Sequence, residues 1–137
     1  MNIVYCGQFR DSAGYGVAAR GYLKSLDAYL SSHPDSFNLK LYSSVVKQSD
    51  KLTSDEVALL EKYEFINDED IEKIISEEYI FVWHMPPPLI TFADVRFHAS
   101  PGCSASLRKL IDNSKYNVNL VAWEVDKLPP EWLLRMV

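Results

Sequence analysis

Residues 2–30 constrain the fold more than any other part of this 137-residue chain. Asn2–Gly7 is a short apolar run that predicts a strand, and residues 8–16 follow it as a loop that carries two glycines. From Gly16 onward apolar side chains recur at helical spacing, at Ala19, Tyr22, Leu23, Leu26, Tyr29 and Leu30. A strand, a glycine loop and a helix in this order open a parallel α/β unit.

The glycine loop has two interpretations of equal weight. The first N–H groups of a helix lack partners and favour an anion, and glycine lets the backbone approach it closely. Gly14, Tyr15 and Gly16 are then ligand-binding residues, and valine at either glycine should weaken activity more than stability. Alternatively, the glycines only form a turn with positive φ. Arg20, one turn into the helix, either assists by its charge or is a solvated residue.

The composition predicts one globular domain that does not bind nucleic acid. Apolar residues make up 47% and charged residues 24%, and 14 basic against 19 acidic side chains give a net charge of −5 without a basic stripe. Cys6 and Cys103 do not form a disulfide framework, and Cys6 in its apolar strand predicts a buried reduced thiol. With no apparent signal peptide or membrane span, we expect a cytoplasmic protein, with peripheral attachment to a membrane left open.

The rest of the chain alternates strand and helix signals. Thr53 and Glu56 match a capping box, Asn67 and Ser104 are further helix caps, and the acidic run around Asn67 favours a solvated helix face over a metal site. We therefore predict no metal and no cofactor. The remaining strands are predicted at residues 37–43, near the sheet edge, at Tyr79–His84 and at residues 117–123, whereas residues 89–103 stay unassigned. This order predicts an open, mostly parallel sheet flanked by helices.

His84 is a candidate ligand-binding residue because it ends a predicted strand. Ligands of open α/β sheets bind outside the carboxyl ends of the strands, so His84 is better placed than His33 or His98, although a packed, hydrogen-bonded histidine is the alternative.

A helix that starts near Pro130 has barely begun at Val137. We expect a larger protein, and self-association of the fragment through this uncovered helix.

Two runs carry a resemblance to a known family: Ser12-Ala13-Gly14-Tyr15-Gly16-Val17-Ala18-Ala19-Arg20 and Trp123-Glu124-Val125-Asp126-Lys127-Leu128-Pro129-Pro130-Glu131-Trp132, with weaker support from Trp83-His84-Met85-Pro86-Pro87. The chain resembles the N-terminal domain of a group 1 (family 4) glycosyltransferase of the GT-B fold. The resemblance implies that residues 1–137 form a Rossmann-like, acceptor-side domain. A nucleotide-sugar donor would bind to a second domain, absent here, so the fragment alone should be inactive.

The resemblance also directs attention to Glu124. Many relatives have a histidine after the corresponding strand, where this chain has Glu124, so the histidine's role and the retaining outcome do not carry over directly. We predict that Glu124 orients an acceptor hydroxyl or takes its proton, with Asp126 as the reserve candidate by alternation along the strand. The alternative is a structural acid that caps a helix or pairs with Lys127.

Two other functions remain open. Residues 14–19 satisfy G-x-G-x-x-A, the motif of a dinucleotide-binding domain. However, Gly14 lies well beyond Gly7, and no acid ends the second strand to hold a ribose. A non-catalytic binding or scaffold domain would keep the fold without the chemistry.

Overall fold

The structure is a computed structural model that describes residues 1–44, 48–84 and 104–120. Strands and helices alternate along these residues, as an α/β fold requires. The elements in chain order are β1 (Asn2–Gly7), α1 (Gly14–Ser32), β2 (Asn38–Ser43), α2 (Ser54–Tyr63), α3 (Asp68–Ile75), β3 (Tyr79–His84), α4 (Ser104–Asp112) and β4 (Tyr116–Asn119).

The four strands form one parallel sheet in the order β2-β1-β3-β4. This confirms the predicted fold class and places β2 at an edge. From β1 the chain moves to β2 on one side, and it later returns to β3 on the other side. The strand order therefore reverses between β1 and β3, whose last residues, Gly7 and His84, pair in register. In open α/β sheets ligands bind at such a reversal.

Helices pack on both faces of the sheet, because β1 and β3 place successive side chains on opposite sides. Val4 and Cys6 point to the face that α3 and α4 cover, and Tyr5 points to the face of α1 and α2. Full burial of a large apolar side chain stabilises the fold by about 1.5–3 kcal/mol. The core on the face of α3 and α4 contains Phe81, Trp83, Ile71, Ile74, Leu107 and Leu110. The core on the face of α1 and α2 contains Phe9, Ala19, Leu23, Leu41 and Leu60.

The predicted helix caps are largely confirmed. Thr53 Oγ1 accepts a hydrogen bond from the Glu56 N–H at 3.2 Å, and the Glu56 side chain accepts one from the Thr53 N–H. Asn67 accepts one from the Asp70 N–H at 3.0 Å. Ser104 is the first residue of α4 rather than a residue before it. The cysteine prediction is also confirmed for Cys6, which is buried and not part of a disulfide.

Several predicted bounds need correction. α1 begins at Gly14 rather than Gly16, so both glycines lie in its first turn. Tyr22 and Tyr29 are 56% and 49% exposed, because the sheet covers a narrower stripe of α1 than its periodicity predicts. The second strand begins at residue 38 rather than 37, and β4 begins one residue earlier than predicted.

Other sequence predictions concern residues that the structure leaves undescribed. Cys103, Glu124 and Asp126 all lie outside the described residues, as does the predicted last helix. Across residues 1–44, 48–84 and 104–120, every helix is too short or too polar to cross a lipid bilayer.

Candidate functional site

His84 ends β3 at the carboxyl edge of the sheet, on the face that α1 covers. The residue is 4% exposed. Its Nδ1 atom lies 2.6 Å from the hydroxyl of Tyr5, two residues before the end of β1. The two rings are stacked, with centroids 5.9 Å apart and planes within 10°. Adjacent strands thus bring together two side chains that are 79 positions apart in sequence.

Burial determines the protonation state of this pair. Desolvation raises the pKa of Tyr5, and the nearby Tyr22 and Cys6 raise it further, so its hydroxyl keeps the proton at neutral pH. Desolvation also lowers the pKa of His84 below its ordinary value of 6.5, so the imidazole is neutral. A protonated hydroxyl beside a neutral ring is best satisfied when Tyr5 donates to Nδ1. The ring proton of His84 then resides on Nε2.

The Nε2 atom of His84 has no hydrogen-bond partner among the described residues. The hydrogen bond of His84 within that part of the chain is made through Nδ1, which leaves Nε2 for another partner. Tyr15 and Tyr22 of α1 meet the imidazole edge to face, with centroids 5.7 and 5.5 Å away. The site therefore presents one N–H donor beside two tyrosine rings.

The two glycines of α1 differ in their surroundings. A Cβ on Gly16 would overlap the backbone oxygen of Asp11 and lie 2.7 Å from that of Gln8, whereas a Cβ on Gly14 would have nothing within 4 Å. Neither glycine has a positive φ, so the interpretation as a left-handed turn is wrong. Gly16 is needed because the loop after β1 packs directly on α1. Gly14 borders open space, and its contact with a ligand remains a prediction.

Arg20 joins the same loop to α2. Its guanidinium donates hydrogen bonds to the backbone oxygens of Phe9, at 2.8 Å, and Asp11, and it lies 2.6 Å from a carboxylate oxygen of Glu56. Desolvation alone would raise the pKa of Glu56, but hydrogen bonds from Thr53 and Arg20 lower it. Arg20 is 7% exposed, so its interpretation as a solvated residue is wrong. Its charge is matched within the fold.

A second polar cluster lies at the carboxyl end of β2. Arg10 donates to both carboxylate oxygens of Glu64, at 3.1 and 3.0 Å, and a third donor, the Ser43 hydroxyl, lies 3.3 Å from the same carboxylate. A groove of about 310 Å³ adjoins Arg10. The side chain of Glu64, which lies outside β2 in sequence, is placed at the end of that strand. The sequence did not indicate an acidic residue at this position. Its carboxylate is already engaged by Arg10.

The structure brings together only part of the predicted site. His84 and Tyr15 lie side by side, whereas Gly16 and Arg20 serve the packing of the loop. Sequence reasoning missed the contributions of Tyr5 and Tyr22, since both fall on apolar patterns that favour a core. The alternation in β1 that turns Tyr5 towards α1 was the available signal, but its partner lies on another strand.

Comparison of the chain with protein-family models, with curated proteins and with solved structures found no match. Within residues 1–44, 48–84 and 104–120, no group of three or more His, Cys, Asp and Glu side chains is placed to hold a metal ion.

Proposed function

We propose that this chain is the acceptor-side domain of a glycosyltransferase that moves a sugar from a nucleotide-sugar donor to an acceptor hydroxyl. One structural observation supports a ligand site here: His84 meets Tyr15 and Tyr22 of α1 where the strand order of the sheet reverses. The family resemblance at Ser12–Arg20 and Trp123–Trp132 supplies the reaction class. The buried Cys6, which is not part of a disulfide, suits the reducing cytoplasm, where we place the protein.

The geometry favours this function over dinucleotide binding. In a dinucleotide-binding domain the first glycine forms the tight turn after β1, but here Gly14 lies inside α1, seven residues beyond Gly7. An acid at the end of β2 would hold the ribose, but the one present, Glu64, accepts two hydrogen bonds from Arg10. A dinucleotide would have to displace this ion pair.

The chemistry assigned to Glu124 is general-base catalysis. Its carboxylate takes the proton of the acceptor hydroxyl while that oxygen bonds to the anomeric carbon of the donor sugar. The bond from that carbon to the nucleoside diphosphate breaks, and the diphosphate leaves with the electron pair. Positioned bases of this kind contribute about 10²–10⁴ in rate. Asp126 is the second candidate, and both assignments rest on sequence position.

The test uses the complete product of the encoding gene, incubated with UDP-, GDP- and ADP-sugars and a set of simple glycosides as acceptors. We expect acceptor-dependent release of the nucleoside diphosphate and a new glycosidic product by mass spectrometry. Glu124→Gln should lower turnover about 10²–10⁴-fold with little change in melting temperature, whereas Asp126→Asn should not. A large loss in Asp126→Asn alone would transfer the role to Asp126.

A folded full-length protein that releases no diphosphate with any donor would contradict the proposal. Tight binding of NAD(H) or NADP(H) by that protein would instead favour the dinucleotide-binding alternative. If the protein shows neither transfer nor nucleotide binding, the scaffold function is the better explanation.

A further inference from the structure

We infer that Tyr5 is a positioning residue for His84: its hydroxyl holds Nδ1, so that Nε2–H is presented as a fixed donor to an uncharged oxygen of the ligand beside Tyr15 and Tyr22. This inference deepens the proposed function and rests on it for the identity of the ligand, a sugar hydroxyl. The inference concerns the hydrogen bond at Nδ1 and the tautomer of His84, so it can be tested without measuring sugar transfer.

The geometry fixes the imidazole on several sides. Tyr5 stacks on the ring and bonds Nδ1 at 2.6 Å, while Tyr15 and Tyr22 contact it edge to face. Tyr5 is itself held by Phe9, whose ring lies at right angles with centroids 4.9 Å apart. Because Tyr5 engages Nδ1 and Nε2 has no partner among the described residues, the histidine offers a ligand one oriented polar atom.

Among the described residues, the charges around the site favour a neutral ligand group over a phosphate. The imidazole is uncharged at neutral pH. Both arginines of the preceding loop and of α1 form ion pairs within the fold, Arg10 with Glu64 and Arg20 with Glu56. One N–H donor beside aromatic rings suits a ring that carries hydroxyls, since small-molecule sites combine aromatic walls with a few placed polar groups.

Tyr5→Phe isolates the hydroxyl, because phenylalanine keeps the stacking on His84 and the contact with Phe9. The matched control is Tyr79→Phe on the opposite face of the sheet. Tyr79 is also buried, and its hydroxyl donates a hydrogen bond of 2.6 Å to the backbone oxygen of Leu110. Each variant thus loses one buried tyrosine hydrogen bond of the same length, but only Tyr5→Phe affects His84.

The tautomer is read by ¹H–¹⁵N NMR of the whole chain labelled with ¹⁵N-histidine, with His84→Gln to assign the signal. We expect the wild-type His84 to carry its proton on Nε2 at neutral pH. Tyr5→Phe should shift the ring to a mixture of tautomers, and Tyr79→Phe should leave it unchanged. A proton on Nδ1 in the wild type, or an unchanged ratio in Tyr5→Phe, would overturn the inference. If Tyr5→Phe fails to fold, a proton on Nδ1 in the wild type would still overturn the inference.

The ligand class is tested by titrating the labelled chain with the methyl glycosides of glucose, galactose, mannose and N-acetylglucosamine, and separately with inorganic phosphate. At least one glycoside should shift the His84 signal saturably. Tyr5→Phe should weaken that binding roughly two- to tenfold, the range expected for one hydrogen bond, while Tyr79→Phe should not. A shift with phosphate alone, or with none of the probes, would overturn the assignment to a sugar hydroxyl. A failed transfer assay would contradict the proposed function but leave the tautomer result intact.

Discussion

Gly16→Ala tests whether the loop after β1 packs directly on α1. The added Cβ would overlap the backbone oxygen of Asp11 and lie 2.7 Å from that of Gln8 and 2.9 Å from the Asp11 carbonyl carbon. These are backbone atoms, so no change of rotamer can relieve the overlap and the loop must move. Overpacking of this kind costs about 1–3 kcal/mol.

Movement of the loop would also weaken the hydrogen bonds that Arg20 donates to Phe9 and Asp11. Loss of one bond to a charged group costs about 1.5–3 kcal/mol, whereas alanine gains about 1 kcal/mol over glycine within a helix. We therefore expect Gly16→Ala to lower the free energy of unfolding by about 2–4 kcal/mol.

The assay is urea denaturation followed by far-ultraviolet circular dichroism, with Gly14→Ala as the control. Gly14 lies in the same turn, and a methyl group added there would have nothing within 4 Å, so its variant should match the wild type or gain up to about 1 kcal/mol. Equal midpoints for Gly16→Ala and Gly14→Ala would refute the packing argument. If the glycines bind a ligand, the sequence predicts that valine at either one weakens activity more than stability; the overlap at Gly16 predicts a loss of stability there as well.

Other contacts of the described residues lead to three further expectations. Arg20→Leu should lower the free energy of unfolding by about 2–4 kcal/mol in urea, because Glu56 and two backbone oxygens lose their donor; an unchanged midpoint would contradict this. Thr53→Ala should cost about 1 kcal/mol in the same assay through loss of the capping box, and no loss would show that the cap is dispensable. Stability should fall as the pH drops below 6.5 towards the lowered folded-state pKa of His84, because the unfolded chain then binds more protons; His84→Gln should reduce this slope in urea titrations at several pH values.

Local patterns were sufficient to predict most of the elements. β1 and β3 have the bounds predicted from their apolar runs, and the cap of α2 lies where Thr53 and Glu56 place it. These signals depend on residues close in sequence. The parallel sheet also follows from them, because strands joined through helices pair in parallel.

The contacts of the site depend on packing between distant residues and were not predictable in this way. Arg20 has the appearance of a surface residue in its helical pattern, yet the loop folds over it and Glu56 approaches from α2. Tyr22 lies on the apolar stripe of α1 but remains half exposed. Neither outcome follows from periodicity, since the width of the buried stripe is determined by the elements that cover the helix.

The hydrogen bonding of His84 bears on the binding role proposed for it. A buried polar pair is rarely required for stability, because apolar groups of the same shape can replace both partners at little cost. A histidine that serves packing alone is expected to have both ring nitrogens paired or to lie where both are solvated. His84 instead has one nitrogen held by Tyr5 and, among the described residues, no partner for the other, at the reversal of strand order. This asymmetry fits the binding role proposed above, in which the bond to Tyr5 fixes the ring and the second ring nitrogen meets the ligand.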